Sequence, residues 1–281
     1  MSSTRIGFEP RLRQAVRAFW TGRSSAADKQ RASGKIDQGN RGMVTSGKTM
    51  DSFRNMIVDV VKRNGPKGVG IHRDKSMVVL PGFFRPTKQW DLLIVHNGRL
   101  LAALELKSLC GPSFGNNANN RCEEALGSAY DFRKAQSEGL FGPGAAPFLG
   151  YFILVEDTTG SREPVTSRSP HFPTDPCFKG ASYQSRMQLM CERMVQQQLY
   201  ACASVLTAPG DSTTGDHANL STHTSFRHLL TRLGSYLASE AETERVNDRL
   251  SEDQAPYGTG SILDDDCFED SENSSGTYRL L

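Results

Sequence analysis

The chain has 281 residues, of which 37% are hydrophobic and 23% charged, and a formal net charge of +2. That length and balance predict a globular body, as one large domain or a domain with extensions, and exclude a wholly disordered chain. No apolar run approaches the ~20 residues that a membrane span requires, and the opening MSSTRIGFEPRLRQ lacks the apolar core of a signal peptide. A cytoplasmic protein with no membrane association is therefore expected. Six cysteines, at 110, 122, 177, 191, 202 and 267, form no CxxC pair and no zinc-spaced cluster with histidine. Free thiols in a reducing compartment are the expectation.

The small net charge hides an asymmetry. Twelve acidic and two basic residues lie between Glu240 and Glu272, which leaves the rest of the chain near +12. A basic body suits a polyanionic partner such as DNA, although many basic proteins bind none. On this basis residues 1–40 are read as a basic, partly helical N-terminal arm, 41–237 as the body, and 238–281 as an acidic tail expected to be disordered.

Along the chain, Pro10 to Ala32 is basic with helical stretches, and Gly34 to Gly47 is a Gly/Ser/Asn loop. Phe53, Met56, Ile57, Val60 and Val61 recur at helical spacing and predict a helix over Met50–Asn64, stopped by Asn64-Gly65-Pro66. Strands are expected at 77–80, 90–96 and 99–107, the last two joined at Asn97-Gly98, a strong hairpin signal. A loop over 111–119 leads to Asn120, read as a helix N-cap with Glu123 three residues on. The helix it opens should end near Gln136. PFLGYFILVED (147–157) reads as a buried strand, 158–180 as a polar excursion, Ser182–Leu206 as one long helix, and Thr224–Leu237 as another. The order predicts an α/β fold, a mixed sheet flanked by helices.

One constellation carries chemistry. Asp91 opens one strand, and Glu105 and Lys107 end the next as E-L-K, a D…ExK pattern. Phosphodiester cleavage needs a divalent cation to neutralise phosphate charge and acidify a water. Mg²⁺ is a hard ion that takes carboxylate and carbonyl oxygens, here Asp91, Glu105 and the Leu106 carbonyl. Lys107 shares a strand face with Glu105 and could position the attacking water and steady the transition state. Ending so apolar a strand with Glu and Lys is costly unless they are paired, metal-bound or at a rim. The alternative is a plain surface salt bridge between them. The hairpin gives a test: a simple two-residue turn sets Asp91 opposite Leu104, on the wrong face. A three-residue loop, His96-Asn97-Gly98, with a G1 bulge restores a common face, and that register is expected.

The stretch WDLLIVHNGRLLAALELKSLCGPSFGNNANNRCEEALGSAYDF, with PFLGYFILVEDTTGS after it, closely resembles the XhoI family of type II restriction endonucleases. GPSFGNN-x-NNR-x-EEA-x-G is the most specific block. NRGMVTSGKTMD (40–51) and the helix from Tyr183 are also similar. The resemblance spans roughly residues 5 to 237. It implies the PD-(D/E)xK nuclease fold, Mg²⁺ dependence and double-strand cleavage at a short palindrome, CTCGAG, leaving 5′ overhangs. It also implies a homodimer, because a two-fold DNA site is matched by a two-fold protein, and a companion methyltransferase. The motif's first acid falls on Asp91, preceded by Trp90 rather than Pro.

Base-reading candidates are Asn116, Asn117, Asn120 and Arg121, since Asn pairs with adenine and Arg with guanine; a turn plus helix cap is the alternative. Arg85 and Lys88 are candidates for phosphate contacts or solvated charge. Asp51 is either an extra site carboxylate or a partner of the helix dipole. Glu123 and Glu124 read as cap and surface residues. Two other classes stay open: a PD-(D/E)xK nuclease without a strict target, and a non-catalytic DNA-binding protein on the same scaffold. The intact Asp91, Glu105 and Lys107 argue against the latter.

Overall fold

Phe148–Glu156 forms a strand buried at every position up to Val155, and a strand apolar on both sides must be covered on both faces. The computed structural model of the chain describes residues 7–32, 47–142, 144–211 and 213–253. In chain order its elements are α1 (Phe8–Ala32), α2 (Asp51–Asn64), β1 (Gly70–His72), β2 (Val79–Pro81), β3 (Thr87–Gln89), β4 (Leu92–His96) and β5 (Arg99–Leu109). There follow α3 (Phe114–Ser137), β6 (Phe148–Glu156), α4 (Thr159–Arg162), α5 (Tyr183–Gln196), β7 (Cys202–Ala208), β8 (Ala218–Asn219) and α6 (Phe226–Asp253). Met1–Glu244 form one unit and the residues from Arg245 a second, in which α6 continues to Asp253.

The main sheet has six strands in the order β1-β4-β5-β6-β7-β8; β5, β6 and β7 run parallel and the other pairs antiparallel. The parallel steps are made by α3 and α5, as crossover helices must. Side chains alternate along β6. Phe148, Phe152 and Leu154 join a cluster with Leu12, Phe19, Phe53, Ile57, Phe226 and Leu233 of α1, α2 and α6. Leu149, Tyr151, Ile153 and Val155 join Ala125, Phe132, Met187, Met190 and Cys191 of α3 and α5. The result is the mixed α/β sheet between helical layers of a restriction-endonuclease-like fold. No described helix is long and apolar enough to cross a membrane.

Several expectations change. The Pro10–Ala32 segment is the continuous helix α1, which buries Leu12, Val16, Phe19 and Trp20 in the core rather than standing apart as an arm. The loop expected over Gly34–Gly47 lies almost wholly outside the described residues. The helix expected to close at Leu237 runs on to Asp253, past the boundary placed at 238. Residues 254–281 of the acidic tail lie outside the described residues.

The Ser182–Leu206 helix is two elements. α5 stops at Gln196, Gln198 takes a left-handed φ of 56°, and CASVLTA becomes β7 beside β6. A wholly buried run of small and β-branched residues fits a central parallel strand better than one helix face. α3 begins at Phe114, with Ser113 at its cap position, seven residues before the expected cap at Asn120. Its buried face, Phe114, Ala118, Ala125, Ala129 and Phe132, extends the helical spacing back through the Asn-rich run.

β2 and β3 form a separate ribbon fastened to α3. The buried Asp131 carboxylate accepts from the Phe83 and Phe84 amides at 2.9 and 2.8 Å and from Arg85 Nε at 2.8 Å. A Cβ on Gly82 would meet Arg85 O at 2.6 Å and Asp131 Oδ2 at 2.7 Å, so the tip admits only glycine there. Burial pushes the Asp131 carboxyl up, but these three donors outweigh it and hold its pKa below the usual carboxylate range. A depressed pKa contributes stability above the unfolded value that is lost as pH falls through the folded one. Asp131→Asn should therefore cost roughly 2 kcal/mol near neutrality. The gap in melting temperature from the parent protein should stay constant from about pH 6 to 8 and close below about pH 4. A gap unchanged at low pH would refute this anchoring role.

Candidate active site

The β4–β5 hairpin decides whether the three motif residues meet. Asn97 and Gly98 have φ of 49° and 73°, the two left-handed residues of a tight two-residue turn, and His96 pairs with Arg99. The expected three-residue loop is thus not present. The one-residue correction lies further along, where the register shifts between Ile94 and Val95: Val95 pairs with Leu100 but Ile94 with Ala102. Leu101 is the extra residue of a β-bulge. Consecutive Leu101 and Ala102 consequently both join the α1/α2/α6 cluster. Beyond the bulge Leu92 pairs with Leu104, so Asp91 lies opposite Glu105 rather than Ala103. The common face is reached by a different bulge.

Asp91, Glu105 and Lys107 come together at the end of β5. The Asp91 amide donates to Leu104 O at 3.2 Å, and Asp91 Oδ2 accepts from the Leu106 amide at 2.8 Å. The amide and carbonyl of one strand residue face the same edge, so Leu106 O lies on the edge where β4 has ended. Glu105 is 2% exposed. Its Oε1 receives Lys107 Nζ at 2.8 Å and Lys88 Nζ at 3.1 Å. Its Oε2 is buried with no hydrogen-bond partner. Tyr151, level with Glu105 on β6, likewise has a buried, unpartnered hydroxyl.

The electrostatics separate the two acids. Burial raises the Asp91 carboxyl above its ordinary range, against the Leu106 amide and Lys107. Burial also pushes Glu105 up, but Lys107 and Lys88 outweigh it and its pKa is lowered. Burial pulls Lys107 down, and the Glu105 ion pair more than offsets it, so the ammonium stays charged.

Two residues read as ordinary surface groups belong to this cluster. Lys88, offered as a phosphate contact or solvated charge, is 12% exposed and paired with Glu105. Glu124 lies 3.5 Å from Lys107 Nζ and 2.6 Å from Arg121 Nη1. The alternation of Thr87, Lys88 and Gln89, exposed–inward–exposed, is a strand signal for Lys88. Glu124 falls inside the expected helix, but its approach to Lys107 is a contact between separate elements that no local pattern marks. Asn116, Asn117, Asn120 and Arg121 lie on the first two turns of α3 rather than in a loop. Asn116 and Asn120 are exposed, Asn117 is half-buried, and Arg121 is tied back to Ser108 O at 3.1 Å. Arg85 pairs with Asp131, and Asp51, in the first turn of α2, pairs with Arg54. Among the described residues no group of three or more His, Cys, Asp or Glu is placed to hold a metal ion. Any divalent ion here would rest on two carboxylates and a main-chain oxygen.

A mixed sheet presenting paired carboxylates and a lysine at the end of a hairpin strand is the architecture of restriction-endonuclease-like proteins. The profile described as restriction endonuclease XhoI matches residues 29–219. The type II restriction enzyme XhoI of Xanthomonas vasicola is 46% identical over 186 residues, 65% of this chain and 73% of that protein. AbrI of Azospirillum brasilense is 48% identical over 165 residues, 59% of this chain and 74% of that enzyme. BstVI of Geobacillus stearothermophilus is 47% identical over 182 residues, 63% of this chain and 80% of that enzyme. No solved structure matches. The chain belongs to the XhoI family of type II restriction endonucleases, site-specific deoxyribonucleases.

Glu124 occupies Lys107 and Arg121 with a carboxylate where a DNA phosphate would be an alternative anion. Glu124→Gln should remove this competing carboxylate from both cations, leaving Lys107 on Glu105 and Arg121 on Ser108 O, and tighten metal-free DNA binding about fivefold, roughly 1 kcal/mol, measured by fluorescence anisotropy in EDTA. Unchanged or weaker binding would show that Glu124 does not compete with DNA.

Proposed function

We propose that this enzyme hydrolyses DNA by Mg²⁺-dependent chemistry at Asp91, Glu105 and Lys107, cutting CTCGAG to leave 5′ overhangs. The observation that carries the site is the bulge at Leu101, which brings Asp91 opposite Glu105. The target rests on the family resemblance alone.

The residues fit magnesium. Asp91, Glu105 and the Leu106 carbonyl are hard oxygen donors, and Mg²⁺ takes one or two carboxylates and completes its shell with water and phosphate. Glu105 Oε2 is a buried acceptor without a partner, a costly state in a protein interior that a cation relieves. When bound, magnesium supplies charge neutralisation at the phosphate and acidifies a water. Asp91 is oriented by the Leu106 amide and Glu105 by Lys107 and Lys88. Lys107, charged and on the face of the two acids, donates to the attacking water and to charge developing on the phosphoryl oxygens.

Sequence reading is assigned to the start of α3. Asn116 and Asn120, one turn apart and exposed, are candidates for base edges, with Asn117 and Arg121 beside them. A palindromic target calls for two such sites related by a two-fold axis, hence a homodimer, and a methyltransferase acting on the same sequence to protect host DNA.

The test is digestion of an unmethylated plasmid with one CTCGAG site, in Mg²⁺, in EDTA and with Lys107→Ala, followed by end sequencing. One cut at that site, absent in EDTA and with the variant, is the expected result. Cleavage elsewhere would discard the target and keep the active site. Full activity of Lys107→Ala would discard the active site.

A further inference from the structure

Lys88 stands outside the D…ExK pattern, yet it is one of two cations on the most buried acid of the site. It is the inward residue of β3, between exposed Thr87 and Gln89. Its ammonium lies 3.1 Å from Glu105 Oε1 and 4.5 Å from the centroid of the Trp90 ring. Burying an ammonium is expensive unless it is paired. Lys107 already pairs with the same oxygen at 2.8 Å, so Lys88 is a second donor on Oε1.

A second donor adds geometry. With one donor from β5 and another from β3 on Oε1, the carboxylate loses its freedom to rotate, and Oε2 is the oxygen left without a partner. The β2–β3 ribbon is itself fixed. The Trp90 amide donates to Val78 O at 2.7 Å, the Trp90 ring meets the Phe132 ring edge-on, and Asp131 of α3 holds the tip. Lys88 is therefore delivered to Glu105 by a braced element. We propose that Lys88 is a positioning residue that clamps Glu105 Oε1 so that Oε2 is presented to the magnesium ion. The inference rests on the site proposed above and adds to it a residue that the motif lacks.

Two other roles make opposite predictions. If Lys88 acted only as a nearby positive charge, its removal would tighten cation binding. If it held a DNA phosphate, its removal would weaken DNA binding without metal. Mn²⁺, a divalent ion that also suits carboxylate and carbonyl ligands, is the probe. It is titrated into the full-length protein and the free ion counted by electron paramagnetic resonance.

Lys88→Met should bind Mn²⁺ about tenfold more weakly, the low end for loss of a group that orients a metal ligand, and Lys88→Arg should stay near the parent value. Single-turnover cleavage of saturating DNA should slow with Lys88→Met, while its DNA affinity in EDTA stays unchanged. If Lys88→Met fails to fold, Lys88→Gln carries the same comparison. Tighter or unchanged Mn²⁺ binding overturns the proposal. So does weaker DNA binding in EDTA with Mn²⁺ affinity intact. Glu105→Gln is the control: if it still binds Mn²⁺ like the parent protein, the metal site itself is wrong, a failure distinct from that of Lys88.

Discussion

Glu105 must keep a charge at 2% exposure, and much of the surrounding structure answers to that demand. A buried carboxylate is tolerated only when it is paired and hydrogen-bonded. Lys107 comes with it on the same strand, and Lys88 arrives from a ribbon outside the main sheet. The ribbon needs a fixed seat to deliver Lys88, and Asp131 and Trp90 supply it on α3. Thus α3 both makes the crossover from β5 to β6 and braces the ribbon that pairs with the end of β5. The two acids differ in how far they are satisfied. Glu105 has two cations on one oxygen and none on the other. Asp91 has the Leu106 amide and is pushed toward the neutral form by burial.

The start of α3 links this cluster to whatever lies above it. Arg121 reaches back to the Ser108 carbonyl at the end of β5 and forward to Glu124, which also approaches Lys107. The exposed amides of Asn116 and Asn120 sit on the preceding turns of the same helix. A displacement of these turns would thereby be felt at Lys107 through two short contacts. These contacts join the first turns of α3 to the end of β5 and to Lys107.

Much of the architecture was legible from periodicity. The α2 stripe, the β4–β5 hairpin and the β6 run all followed from side-chain spacing, and Asp91, Glu105 and Lys107 from residue type. Where the reading failed, two weak signals competed. Asn120 with Glu123 imitates a capping box, while the true helix start at Phe114 is marked only by a buried stripe running through four asparagines. CASVL continues a helical pattern as easily as it begins a strand, and the break at Gln198 is a backbone event that glutamine does not announce. Lys88 and Glu124 were named but their contacts with Glu105 and Lys107 were not legible, because no local pattern encodes a contact from 88 to 105 or from 124 to 107.

The position of the bulge has a cause in the hairpin's far end. Asn97-Gly98 favours the two-residue turn, and that turn alone leaves Asp91 and Glu105 on opposite faces. The turn is also held from outside. Glu244 Oε1 accepts from Asn97 at 3.0 Å and meets His96 Nε2 at 2.6 Å, and Glu240 pairs with Arg99. The turn is thus held by α6 as well as favoured by Asn97-Gly98, and the extra residue lies inside β5 at Leu101. That position lies among buried apolar side chains, where leucine meets the α1/α2/α6 core on the same side as Ala102. The unpaired residue thus contributes burial while the strand beyond it is turned to bring Glu105 and Lys107 beside Asp91. Acidic residues of α6 thus hold the turn of the hairpin whose other end carries Asp91 and Glu105.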